Sequence, residues 1–282
     1  MNKIDFICIG PGKSGTTYIY NVLKNHPEVG LSSSKETLFF EKYYNKGIEW
    51  YHNFFDFSQN RKILGEISNT YIFDNKVPQL IYDYNPKIKL ITTLRNPIDR
   101  TFSHYLYMIK VGEEKGSFKE VLNRRPDLIK RGSYSELIAE YDKYFQRENI
   151  KVMLFEDLQE KPFEYTNSLF DFLDINNELK KEIIEKKVLE AAKPRSYYLS
   201  KVVSTLSRIA RDLGLARLVT KLKFNKTVTS LIYHEFKKGD KPELSPEERH
   251  KLMKLFSKDV EKLSKRLGKD MLHYWKFEEN AS

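Results

Sequence analysis

Gly10-Pro11-Gly12-Lys13-Ser14-Gly15-Thr16-Thr17 follows the apolar run Ile4-Asp5-Phe6-Ile7-Cys8-Ile9 and leads into Tyr18-Ile19-Tyr20-Asn21-Val22-Leu23. An apolar run, a glycine-rich break and a helix-forming segment read as strand, tight loop and helix start. The three glycines tolerate φ > 0 and let backbone N–H groups crowd around an anion. The helix N-terminus adds the positive end of its dipole to the charge of Lys13. The nucleoside-triphosphate loop, G-x-x-x-x-G-K-[ST], places a magnesium-binding hydroxyl directly after a lysine that follows the last glycine. Here Lys13 precedes Gly15, and the hydroxyls of Ser14, Thr16 and Thr17 follow the lysine. That order suits a metal-free grip on a phosphate or phosphosulfate group. A glycine-rich turn with no ligand is the alternative that the loop alone leaves open.

A second segment carries the same logic. Lys89-Leu90-Ile91-Thr92-Thr93-Leu94 reads as a buried strand. Arg95-Asn96-Pro97-Ile98-Asp99-Arg100-Thr101-Phe102-Ser103-His104-Tyr105 follows, with Asn96 placed to cap a helix and Pro97 at its first position. Ile98, Phe102, Tyr105 and Ile109 fall on one helical face and Ser103 falls off it. A strand-end arginine and a helix hydroxyl can then converge on one anion near the carboxyl ends of the strands, where open α/β sheets bind ligands.

Together the two segments resemble the cosubstrate motifs of sulfotransferases that use 3′-phosphoadenosine 5′-phosphosulfate (PAPS). The resemblance implies that Lys13, Ser14, Gly15, Thr16 and Thr17 hold the 5′-phosphosulfate. It also implies that Arg95 and Ser103, eight residues apart, bind the 3′-phosphate. Lys35-Glu36-Thr37-Leu38-Phe39-Phe40, with Tyr43-Tyr44 and Trp50-Tyr51 beyond it, is similar to the heparan sulfate branch and its bacterial relatives. In that branch the glutamate before the paired aromatics is the catalytic base. Glu36 is thereby implied to take a proton from an acceptor hydroxyl or amine while Lys13 neutralises charge on the departing phosphate. By itself Glu36 also reads as a first-turn helix residue favoured by the macrodipole. Gly65-Glu66-Ile67-Ser68-Asn69-Thr70-Tyr71 departs from relatives that carry lysine directly after the glutamate, which weighs against a glycosaminoglycan acceptor. Glu66 is expected as a second carboxylate or as a strand-end residue paired with a lysine.

The rest of the chain bounds this reading. A length of 282 residues with 40% hydrophobic content suffices for one large core, and no stretch of eighteen uncharged apolar residues could span a bilayer. Met1-Asn2-Lys3-Ile4-Asp5 lacks the layout of a signal peptide, so a cytoplasmic enzyme is expected. Cys8 is the single cysteine, expected in the core, which leaves neither an internal disulfide nor a multi-cysteine metal site. The six histidines show no H-x-x-x-H spacing, and no metal is expected; His104 either touches the site or faces solvent. The net charge of +10 suits an anionic cosubstrate, and without a nucleic-acid-binding motif no nucleic-acid partner is expected.

Strands expected near 4–9, 63–66, 88–94 and 150–155 alternate with helices near 16–25, 74–84, 97–110, 134–147 and 162–173. This is the pattern of a three-layer α/β fold, a P-loop-type parallel sheet flanked by helices. One sulfotransferase domain over 1–282 is expected, with a nucleotide-binding core over 1–175 and a mainly helical extension over 176–282. Around Ala191-Ala192-Lys193-Pro194-Arg195-Ser196 the resemblance suggests a loop folded over the nucleotide, with Lys193, Arg195 and Ser196 as phosphate contacts; an ordinary connection is the alternative. Residues 199–222 interleave apolar positions with Lys201, Arg208, Arg211, Arg217 and Lys221. Packing of that apolar face on the domain is expected, ahead of membrane contact or of a cover for an acceptor channel. Ser245-Pro246-Glu247-Glu248 signals a capped structural helix through Leu267, and Gly268 to Trp275 resembles the family's ending. Tyr43, Tyr44, Trp50, Tyr51 and Phe54 form either an acceptor wall or part of the core. The expected activity is sulfonyl transfer from PAPS to a hydroxyl or amine, tilted by the resemblance toward a carbohydrate. An ATP-dependent P-loop kinase and a non-catalytic polyanion-binding protein are the rival readings.

Overall fold

A computed structural model of the chain describes residues 3–58, 60–185, 192–194, 196–212, 215–223, 225, 228, 231–235 and 242–277. The chain groups into two compact units, Met1–Arg95 with Leu137–Leu189, and Asn96–Glu136 with Glu190–Ser282. The first holds a parallel sheet of β1 (Phe6–Gly10), β2 (Val29–Leu31), β3 (Ile63–Ile67), β4 (Lys89–Leu94) and β5 (Ile150–Leu154), in the order β2-β3-β1-β4-β5. Every residue of β1 is buried, as a central strand covered on both faces requires. Alternation along the strands sends Phe6, Cys8, Ile67, Ile91 and Met153 to one face. There they pack with Ile19 and Leu23 of α1 (Thr16–Lys24) and with Leu169 and Phe170 of the helix Pro162–Leu173. Glu66 points the other way, toward Tyr51 of α2 (Ile48–His52) and Tyr71. Tyr84, which ends α3 (Val77–Tyr84), binds the Ile4 N–H through its hydroxyl at 2.9 Å.

Chain order explains where a ligand belongs. From β1 the chain runs outward to β2, whereas from β4 it runs the opposite way to β5. The adjacent carboxyl ends of β1 and β4 therefore flank a topological switch point, and the glycine-rich loop and Arg95 both follow directly from those ends.

Several elements differ from expectation. Strand β2 has no counterpart among the expected strands, because three residues give too little alternation to register. Phe155 opens a short helix, Phe155–Glu160, instead of ending β5. The helix from Tyr134 ends at Asp142, five residues early. Beyond 191 the chain is not wholly helical, since Ala192–Pro194 pairs antiparallel with Tyr233–Glu235.

In the second unit, α4 (Pro97–Lys110) begins where its sequence says, with Asn96 Oδ1 accepting from the Ile98 N–H at 3.0 Å. Its buried side is Ile98, Arg100, Thr101, Tyr105, Leu106 and Met108; Phe102 and Ile109, expected on that stripe, are half-buried. The helix Pro246–Leu267 carries the expected capping box of Ser245 and Glu248 and buries Leu252, Phe256, Val260 and Leu263. Its Asp259 accepts from the Ser135 N–H at 3.1 Å and so caps the start of the helix at Tyr134 from a distance.

Candidate functional site

The loop after β1 turns through φ of 101° at Gly10, 76° at Lys13 and 98° at Gly15. Two of the three glycines thus use the left-handed freedom they offer, and the position between them falls to Lys13 and not to Gly12. Gly15 ends the loop so that its carbonyl accepts from the Tyr18 N–H at 2.8 Å, and the N–H groups of Thr16 and Thr17, in the first turn, lack a carbonyl one turn back. Thr92 and Thr93 of β4 hold the loop from beneath, their hydroxyls donating to the Gly10 and Ser14 carbonyls at 2.8 Å each. The Ser14 hydroxyl is buried and takes no hydrogen bond among the described residues. A left-handed lysine, an open helix start and an unsatisfied hydroxyl are what an anion would complete.

Asn69, to which the sequence reading gave no role, ties this loop to Glu36. Its carbonyl accepts from the Gly12 N–H at 2.9 Å, and its side-chain oxygen accepts from the Thr16 hydroxyl at 2.6 Å. Its amide nitrogen donates to Glu36 Oε1. Glu36 is not a first-turn helix residue, since its φ is 67° and its N–H donates to the Ile67 carbonyl at 3.1 Å. The half-buried carboxylate is thereby fixed beside the anion loop by a strained backbone, a costly arrangement of the kind that clusters at functional sites. Lys35, also missed, is buried and donates to the Thr17 hydroxyl at 3.0 Å, bringing a second cation to the helix start.

Arg95 stands at the end of β4 with its guanidinium 4.9 Å from the centre of the Phe155 ring. The same ring lies against Gly15, where an added Cβ would meet it at 3.1 Å, so Phe155 seats the arginine beside the loop. No periodic signal marks Phe155, which reads as the last residue of a strand. Ser103 lies half-buried on α4 in the second unit. Lys193 sits in the strand Ala192–Pro194 there, and Arg195 lies outside the described residues. The Ser196 hydroxyl accepts from the Leu199 N–H at 3.4 Å, which makes it the cap of the helix Tyr197–Asp212.

Among the described residues no lysine pairs with Glu66. It is fully buried and accepts from the Thr37 hydroxyl at 2.6 Å, one residue beyond Glu36. Burial pushes its carboxyl up from the usual 4.5 to about 7, against the pull of the Thr37, Tyr71 and Tyr51 hydroxyls. Between these two values the unfolded chain releases the proton that the folded chain keeps, so stability falls as pH rises through that window, by on the order of 3 kcal/mol. Glu66→Gln is expected to flatten this slope in urea unfolding measured across the same pH range. Equal slopes in the two proteins would refute it. Ile67, where the resemblance leads one to expect lysine, is buried in the core beneath α1, so position 67 itself brings no cation to the site.

Cys8 is buried in β1, as expected. The aromatics after Glu36 pack chiefly on one another: Phe39 stacks on fully buried Tyr51 at 4.4 Å, while Tyr44 stays exposed. No group of three metal-ligating side chains occurs among the described residues, and none of their helices is long and apolar enough to cross a membrane.

Residues 3–265 match the family model described as the sulfotransferase domain. The chain belongs to the sulfotransferase family. It is 30% identical over 183 residues to human heparan sulfate glucosamine 3-O-sulfotransferase 5, covering 60% of this chain and 53% of that one. It is 34% identical over 134 residues to the membrane-associated sulfotransferase kil1 of Dictyostelium discoideum, covering 44% and 28%. The sulfotransferase chain spans about half or less of the length of these relatives. A crystal structure of a sulfotransferase from Alicyclobacillus acidocaldarius superposes over 98% of this chain and 100% of that one, with a TM-score of 0.69 at 22% identity, and so shares the fold.

Proposed function

We propose that the chain transfers a sulfonyl group from PAPS to a hydroxyl or amine, with a sugar as the acceptor class. The observation that carries this reading is the bridge through Asn69, which holds the Glu36 carboxylate beside the anion loop. Lys13, Ser14, Gly15, Thr16 and Thr17 would hold the 5′-phosphosulfate, and Arg95 and Ser103 the 3′-phosphate. Lys193, Arg195 and Ser196 would be the further phosphate contacts. PAPS when bound supplies the activated sulfonyl group, and adenosine 3′,5′-bisphosphate is what remains after transfer.

Glu36 takes the proton from the acceptor as the new bond to sulfur forms, and Asn69 keeps its second oxygen engaged so that the carboxylate holds one orientation. Lys13 and the N-terminus of α1 present positive charge where the phosphate oxygen accumulates negative charge. Lys35 steadies Thr17 in the same field. Arg95 recognises a charge that ATP lacks, which separates this reading from the kinase. Membership in a transferase family favours catalysis over plain polyanion binding, and relatives named for heparan sulfate support a carbohydrate acceptor.

The test is a calorimetric titration with adenosine 3′,5′-bisphosphate, beside ATP with Mg²⁺ and beside Arg95→Ala. Binding independent of metal, weakened roughly tenfold to a hundredfold in the variant, is expected from the loss of charge-assisted hydrogen bonds. Preference for Mg·ATP, or no binding, would overturn the proposal.

A further inference from the structure

The helix Tyr197–Asp212 is amphipathic, and it sits with its apolar side turned outward. Ser200 is 0% exposed, whereas Tyr198, Val202, Leu206 and Ile209 are 79%, 55%, 59% and 48% exposed. Positions i, i+4, i+8 and i+11 form one stripe, and Ser200 and Ser204 lie on the opposite side of the helix. The burial of apolar residues expected from the sequence is therefore reversed here. The reason lies at Gly112, where an added Cβ would come within 2.8 Å of the Lys201 nitrogen and 2.9 Å of the Tyr197 carbonyl oxygen. Backbone packs on backbone at that point, and Ser200, between those two residues, is the fully buried side chain.

This exposure is concentrated. Of the thirteen large apolar side chains left exposed among the described residues, nine lie between 198 and 231. Soluble surfaces scatter such residues singly, and a contiguous set marks an interaction site. The charge around it is one-sided: residues 197–223 contain Lys201, Arg208, Arg211, Arg217, Lys221 and Lys223 against Asp212 alone. Pairing this face with a second copy would bring two such cationic segments together, in a chain whose net charge is already +10. An anionic lipid surface satisfies both properties at once, taking up the apolar stripe and attracting the flanking cations.

We propose that the outward face of the helix Tyr197–Asp212, continued by Ala216–Lys223, docks the protein on an anionic membrane surface, lying in the interface without spanning it. The proposal is independent of the sulfonyl-transfer reading, because the residues it uses take no part in the anion loop.

Co-sedimentation of the full chain with phosphatidylcholine vesicles, with and without phosphatidylserine, tests it. Partition onto the phosphatidylserine vesicles is expected, stronger by roughly tenfold or more than onto phosphatidylcholine alone, and weakening with salt. Val202→Asp with Leu206→Asp is expected to reduce it by about tenfold or more while the protein melts as before, since both side chains are exposed. Lys201→Glu with Arg208→Glu is expected to remove the preference for phosphatidylserine and leaves the apolar stripe intact. Failure of the parent protein to bind the anionic vesicles, or undiminished binding in both variants, would overturn the proposal. So would a dimer in light scattering that the Val202→Asp, Leu206→Asp variant dissolves, which would assign the face to a second copy.

Discussion

Glu36→Gln is expected to lower kcat by on the order of 10²-fold or more while leaving the fold and nucleotide affinity close to those of the parent. Glutamine keeps a carbonyl oxygen that can accept from Asn69, so the bridge to Thr16 and the left-handed turn at residue 36 persist. What disappears is the ability to take a proton. Lys13→Ala is expected to cost a similar factor through a different route, because it removes charge where charge develops and also loosens the grip on the phosphosulfate. The two variants therefore separate in steady-state kinetics with PAPS and a sugar acceptor. Glu36→Gln lowers kcat alone, whereas Lys13→Ala lowers kcat and raises KM for PAPS. Turnover near that of the parent in both would remove the assigned roles.

The parts of this site that the sequence announces are those with a local physical signature. Glycines beside a lysine and hydroxyls between a strand and a helix can be read in one window, and α4 begins and ends at the residues its cap and periodicity indicate. The residues that join the windows carry no such signature. Asn69 is one polar residue in a turn, and only the pairing of β1 with β3 shows that it reaches Gly12, Thr16 and Glu36 together. Phe155 continues an apolar run, so its work beneath Arg95 is invisible until the chain bends into a helix there. The left-handed backbone at Lys13 and Glu36 runs against residue preference and is imposed by the surrounding hydrogen bonds. In the helix Tyr197–Asp212 the periodicity reveals two unlike faces but not which one meets the domain. That choice is made by Gly112 and Ser200, small residues far apart in sequence.

Gly10→Ala is expected to destabilise the protein by about 3 kcal/mol or more and to abolish the binding of adenosine 3′,5′-bisphosphate. Two costs act together. At φ of 101° an alanine is strained wherever it sits, and its Cβ would lie 2.6 Å from the Asn69 carbonyl oxygen, an atom of the backbone that no rotamer change can move aside. Relief requires the turn at Asn69 to retreat from the loop. That turn carries the acceptor for the Gly12 N–H and the side chain that holds Thr16 and Glu36, so a single methyl group loosens the anion cradle and its carboxylate at once. Gly268→Ala supplies the comparison, since Gly268 also has positive φ, 63°, but an added Cβ meets nothing within 4 Å. Its cost is expected to be the strain alone, about 1 kcal/mol, with nucleotide binding unchanged. Denaturant unfolding and calorimetry on the two variants measure the difference, and similar losses of stability and of binding in both would show that the contact between Gly10 and Asn69 does not organise the site.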